Sequence, residues 1–266
     1  MSAPELIDTH AHLDMARFHD DLDKVVTRAR DAGVKRIICN GIDPSSSRKA
    51  IQFAHQYPGV FAAVGVHPEE ARRTTRQDID DIAVLAKDSR VVAIGEIGLD
   101  YYRDYGPREK QLEVFRWQLD LARRLDMPVV IHSRQADDAL VPLLSTWQKE
   151  RRAACPGVIH CYNGNIENAR AYIDLGFYIS FGCYIGYPSA KATRAVVEQL
   201  PPEKLLLETD SPFLPPQSHR GERNEPAYVV EAANELARLK GLSAEEVARV
   251  TTTNAERVFG GLETIS

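Results

Sequence analysis

The stretch Ile7-Asp8-Thr9-His10-Ala11-His12-Leu13-Asp14 is a short apolar run that ends in two histidines one residue apart. On a β-strand alternate side chains share a face, so His10 and His12 present two imidazoles to one spot. Alone, such a pair is usually two satisfied side chains. Its weight comes from the rest of the chain, where short apolar runs repeatedly end in residues that can bind a metal.

Eight runs read as strands: residues 5–9, 36–40, 61–66, 91–97, 128–132, 157–160, 177–181 and 205–209. Amphipathic, helix-like stretches separate them, near residues 22–32, 45–56, 79–87, 108–125, 137–149, 166–175, 190–199 and 227–240. Several strands are continuously apolar, such as Val91-Val-Ala-Ile94 and Leu205-Leu-Leu207. That is the pattern of parallel strands covered by helices. Eight strand–helix units in one chain of 266 residues predict an α/β fold, a (β/α)8 TIM barrel spanning 1–266 as one domain. A doubly wound open sheet is the alternative, but no Gly-x-Gly-x-x-Gly follows an early strand. Gly33 and Gly176 read as helix C-caps. Ser243-Ala-Glu-Glu246 reads as a capping box, so extra C-terminal helices are expected to pack outside the barrel.

Composition narrows the function. A net charge of −5 gives no global basic field, so nucleic-acid binding would need a local patch or metal ions. Cys39, Cys155, Cys161 and Cys183 form no Cys-x-x-Cys and are expected to be reduced thiols. The N-terminal residues show no basic region followed by an apolar run, and no apolar stretch approaches a membrane span. A cytoplasmic protein without a membrane association or an obligate protein partner is the expectation.

In a barrel, active sites lie at the C-terminal ends of the strands. Read there, strand one offers His10 and His12, strand three His67, strand four Glu96 and Asp100, strand five His132, strand six His160, and strand eight Glu208 and Asp210. Glu96 lies inside an apolar run, where a carboxylate is costly unless paired or metal-bound. Imidazole and carboxylate donors without thiolate suit Zn, Mn, Fe or Co, and Mg where oxygens dominate. These exceed the four ligands of one zinc site, which predicts two divalent ions with a glutamate between them.

These blocks, in this order, resemble the TatD family of metal-dependent deoxyribonucleases, within the amidohydrolase-like barrels. The resemblance rests on Leu6-Ile-Asp-Thr-His-Ala-His-Leu-Asp14, Gly65-Val-His-Pro68, Gly95-Glu-Ile-Gly-Leu-Asp-Tyr-Tyr102, residues 128–138, Leu205-Leu-Leu-Glu-Thr-Asp-Ser-Pro212 and residues 219–226. It implies that His10, His12 and Asp210 hold one metal, His132 and His160 the second, and that Glu96 bridges. It further implies that His67 contacts substrate phosphate and that Glu208 is a general base or orients water. Two places depart from the pattern: Tyr162 stands where a Phe is expected, and the loop of residues 182–187 is idiosyncratic. Both bear on substrate preference.

Arg134, His219, Arg220, Arg223 and Asn224 fall on loops after strands five and eight, where guanidinium groups can take phosphates. Tyr101, Tyr102, Tyr162, Tyr184 and Tyr187 fall on mouth loops, where rings can stack on bases. The pairs Arg72-Arg73, Arg123-Arg124 and Arg151-Arg152 read as solvated faces rather than a DNA track. The leading expectation is a metal-dependent nuclease. The resemblance adds 3′–5′ exonuclease action on single-stranded DNA ends, with RNA as a second substrate. An amidohydrolase or esterase of small molecules using the same metal site is the alternative, and a non-enzymatic nucleic-acid or protein binder with a vestigial site is the third reading.

Overall fold

The computed structural model describes residues 5–151 and 155–262. Its strands are β1 (Leu6–Ala11), β2 (Val34–Asn40), β3 (Val60–Val64), β4 (Val91–Asp100), β5 (Val129–Arg134), β6 (Gly157–Ile159), β7 (Tyr178–Phe181) and β8 (Leu205–Leu207). They lie in sequence order, each parallel to the next. The ring is completed just beyond β8. There Asp210 N donates to His10 O at 2.9 Å and His12 N to Ser211 O at 2.8 Å, and Ala11 bridges Ser211 in parallel. The expected (β/α)8 barrel is the observed fold.

The helices α1 (Leu22–Asp31), α2 (Pro44–Gln56), α3 (Arg76–Leu85), α4 (Arg108–Leu125), α5 (Asp137–Arg151), α6 (Ile166–Asp174) and α7 (Lys191–Gln199) connect the strands, and α8 (Val229–Lys240) and α9 (Ala244–Phe259) follow β8. Local chemistry sets several starts. Asp43 caps α2 with Pro44 at its first turn, and Thr75 and Ser243 open α3 and α9 as capping boxes. Gly33 follows α1 at φ 94°, a left-handed conformation that a side chain would oppose.

Two apolar layers hold the fold. The larger lies between strands and helices, with Phe115, Leu119, Leu144 and Tyr172 among its members. The smaller fills the barrel: Ile7, Ile38, Phe61, Val92, Val130, Val158, Tyr178 and Leu206, one from each strand. Ala255, Val258 and Phe259 of α9, with Leu262, complete that inner cluster. The tail therefore does not simply pack outside the barrel, as its sequence suggests. Its apolar face plugs the end opposite the strand C-termini, which leaves the other end open for chemistry.

Strand ends differ from expectation at the open side. β4 runs on to Asp100, whereas β8 stops at Leu207. The Arg151 side chain, read as solvated, is only 4% exposed; it lies against the Trp147 ring and donates to Pro156 O at 3.1 Å. Its neighbour Arg152 lies outside the described residues.

Candidate metal centre

Glu96 sits at the middle of the open end. Glycines on both sides make room for it. A Cβ on Gly95 would come within 2.6 Å of the Val130 side chain, and Gly98 lies at φ 146° against the His132 backbone. One carboxylate oxygen, Oε2, lies 3.3 Å from His10 Nε2 and 3.5 Å from His12 Nε2. The other, Oε1, lies 2.7 Å from His160 Nε2, 3.0 Å from His132 Nδ1 and 3.4 Å from His67 Nε2. Asp210 Oδ1 approaches His12 and His10 at 3.6 and 3.8 Å.

Five imidazoles thus face one carboxylate, which cannot accept a proton from each of them. His10 Nε2 and His12 Nε2 are 3.1 Å apart. Donors bound to one ion at about 2.0–2.2 Å in a tetrahedral arrangement sit roughly 3.3–3.6 Å apart. The spacings from Oε2 to His10 and His12 fall in that range, those from Oε1 to His160 and His132 are shorter hydrogen-bond lengths, and the clusters His10–His12–Glu96, His67–Glu96–His132 and His10–His160–Asp210 have the burial and donor types of a metal site. The residues present therefore fit divalent ions.

Neighbouring groups set which nitrogen of each ring is free. His12 Nδ1 lies 3.0 Å from Asn40 O, an acceptor only, so Nδ1 carries a proton and Nε2 is the nitrogen turned to the site. His132 is reversed: Nε2 meets Asp100 Oδ2 at 3.2 Å, which frees Nδ1 toward Glu96. His67 Nδ1 accepts from Glu69 N at 3.1 Å, so its Nε2 is a donor. Burial pushes the His67 imidazole down to about 3, which keeps it neutral. Burial also opposes charge on His12, but Asp210 and Glu96 outweigh it and raise that ring to about 9. For Glu96 burial pushes upward, and the surrounding imidazoles, His160 foremost, hold the carboxyl well below its ordinary range.

The side chains of His10, His12, Glu96, His132, His160 and Asp210 converge, and His67 is drawn in beside Glu96 rather than standing on the rim. Strand alternation does not set the directions of Glu208 and Asp210. β8 ends before them, and Asp210 takes a left-handed φ of 57°, which breaks the alternation. Glu208 is turned inward and fully buried, accepting from Cys161 N at 2.6 Å and the Ser180 hydroxyl at 2.5 Å. Both oxygens of Glu208 are thus engaged, and Oε1 stands 3.8 Å from His160 Nδ1, behind that ring. The side chain of Asp210 is 16% exposed against 4% for Glu96.

The polar atoms of Asn224 are also engaged within the protein. It is fully buried, and its amide nitrogen donates to the carbonyls of Thr209, Phe213 and Leu214 at 2.8, 2.6 and 3.2 Å. Arg223 is held by Asp21 and Glu225, and His219 is paired with Glu222 and stacked on Tyr228. Arg134 and Arg220 lie over the rings of Tyr102 and Tyr187 at 4.1 and 4.4 Å. Tyr162 and Tyr184 are buried, with their hydroxyls donating to the carbonyls of Asn165 and Tyr162, so neither is a free stacking surface.

Two contributors carried no assigned role in the sequence. Asp100 was visible at the strand-four end, but its hold on His132 depends on β4 extending that far. Asp8 accepts from Thr209 N at 2.8 Å and the Thr209 hydroxyl at 2.6 Å, bracing the segment between Glu208 and Asp210. Burial raises its carboxyl to about 8.

The family model described as TatD related DNase matches residues 7–260. The chain is 41% identical over 254 residues to the uncharacterised metal-dependent hydrolase YabD of Bacillus subtilis, covering 96% of this chain and 98% of that protein. It is 34% identical over 260 residues to the 3′-5′ ssDNA/RNA exonuclease TatD of Escherichia fergusonii, covering 96% of this chain and 99% of that one. The crystal structure of YjjV, a TatD homologue from Escherichia coli K12, matches with a TM-score of 0.90 at 33% identity, covering 96% of this chain and 97% of that one. Matched along almost its whole length, the chain belongs to the TatD family of metal-dependent hydrolases.

Proposed function

We propose that this hydrolase cleaves phosphodiester bonds of DNA, as a 3′–5′ exonuclease on single strands, with RNA as a second substrate. The observation that carries the reading is the division of labour within Glu96: Oε2 faces His10 and His12 while Oε1 faces His132 and His160. His10, His12 and Asp210 would hold one divalent ion (Mg, Mn or Zn), His132 and His160 the other, with Glu96 shared. Ions held there supply Lewis-acid polarisation of a phosphoryl oxygen and lower the pKa of water. The exonuclease name of the Escherichia fergusonii relative supports a nucleic-acid substrate.

The chain's own residues supply the rest. Asp210, the most exposed carboxylate of the set, orients water and takes its proton. His67, neutral and with its proton on Nε2, donates a hydrogen bond to a phosphoryl oxygen. Arg134 and Arg220 meet neighbouring phosphates from the mouth. Glu208 and Asn224 act through position, the first on His160 and the second on the Asp210 loop.

The test is a screen of end-labelled single-stranded DNA with Mg, Mn and Zn in turn, then with EDTA, beside double-stranded DNA, RNA and a panel of amides and esters. Stepwise shortening from the 3′ end that EDTA abolishes is the expected result. No metal-dependent shortening, together with turnover of an amide or ester, would replace this reading with the small-molecule one.

A further inference from the structure

Among the described residues the exposed large apolar side chains are Val84, Tyr102 and Phe213. Val84 is on α3, on the outside of the barrel. Tyr102 and Phe213 follow β4 and β8, on the open end. Tyr102 already has a cation against its ring, since Arg134 lies over it at 4.1 Å. Phe213 is 43% exposed, and its ring meets His12 edge-on at a centroid distance of 6.2 Å and 71° between planes.

Phe213 is exposed on a segment that is tied down, not on a loose loop. Its N–H donates to Asp210 O at 2.9 Å, and its carbonyl accepts from the Asn224 amide at 2.6 Å. The carbonyl of Pro212 accepts from Arg17 Nη1 and from Asn224 N, both at 3.3 Å. Buried Asn224 thus grips the backbone on both sides of the ring. The main chain is fixed by polar contacts while the aromatic face is left toward solvent, beside a residue assigned to the metal centre.

We propose that Phe213 is the stacking platform for the unpaired terminal base of the strand whose phosphodiester is cleaved at Glu96. The proposal rests on the phosphodiesterase reading above. A ring in edge contact with His12 is within one nucleotide's reach of that site. An aromatic ring stacks on any base, because every base has a π-face, so the contact tolerates sequence. It requires that one face of the base be uncovered. A terminal base in a duplex is held by its partner and must break that pair to reach the ring, so Phe213 selects for single-stranded ends. Phe213 is a specificity-determining residue in this account; it handles no proton.

The experiment uses the full chain with Mn and two single-stranded oligonucleotides that differ only in whether the terminal nucleotide carries a base. A third carries 2-aminopurine at that end behind a phosphorothioate linkage that blocks cleavage. Wild-type protein is expected to favour the base-bearing oligonucleotide over the abasic one by roughly 10- to 100-fold in kcat/KM, and to quench 2-aminopurine fluorescence on binding. In Phe213→Ala the preference is expected to fall to about onefold and the quench to vanish, and Phe213→Trp should restore both. A preference and quench that persist in Phe213→Ala, or a wild type that shows neither, would overturn the proposal. Cleavage without quenching leaves the nuclease reading standing and removes Phe213 from it. Quenching without cleavage upholds the stacking and removes the nuclease reading.

Discussion

Asp100 acts on the metal centre without facing it. Its carboxylate fixes the proton of His132 on Nε2, so that Nδ1 is free toward Glu96. Partners of this kind typically tune affinity by 10- to 100-fold. Asp100→Asn is therefore expected to weaken metal binding by about that factor while the fold persists, as read by calorimetric titration. Asn224 is expected to behave differently. Losing three buried carbonyl contacts should destabilise Asn224→Ala by about 1–3 kcal/mol in urea unfolding, whereas a residue that only touched substrate would leave stability unchanged. Much of the site was legible at this scale, because His10, His67, His132, His160 and Glu96 all stand at or in apolar runs. What the sequence hid was engagement. Nothing local to Asn224 or Glu208 says that partners outside their own segment take up their polar atoms.

β8 is the element where the sequence pattern misleads. Residues 205–209 read as one strand, and a strand would turn Glu208 and Asp210 to the same side. The left-handed turn at Asp210 breaks that alternation, and contacts across the ring to β1, through Asp8 and His10 O, hold it. α9 repeats the lesson. Its capping box, Ser243 with Glu246, was readable because it is local. Its destination was not, since a helix with a buried face does not state which cavity it fills. Phe259 is 5% exposed and belongs to the cluster inside the barrel. Phe259→Ala is expected to lower unfolding stability by about 3–5 kcal/mol, as for a buried aromatic truncated in a core. A loss under about 1 kcal/mol would mean that α9 covers the barrel without plugging it.

At the scale of the molecule, an acidic chain gathers its cations where they are paired. Arg223 draws Asp21 below the ordinary carboxylate range. Burial pushes Glu225 upward, but Arg28 and Arg223 outweigh it and lower it. A carboxyl depressed on folding adds stability above its unfolded value, about 4, and loses it as pH falls through the folded value. Arg223→Gln should therefore be less stable than wild type by about 1 kcal/mol at neutral pH, with the gap closing in melts taken below about pH 4. A gap independent of pH would assign Arg223 to packing alone. The order of eight strands and the open end of the barrel were both read from the chain, because each parallel strand keeps its apolar run and each site residue keeps its strand end.

Glu96 serves two donor sets at once, and counting metals tests that most directly. Chelator-treated protein, titrated with Mn and read by calorimetry and elemental analysis, is predicted to take up two ions per chain, and Glu96→Gln fewer than two with at least one weakened tenfold or more. Wild-type protein that binds one ion or none, or Glu96→Gln that binds two with unchanged affinity, would contradict it.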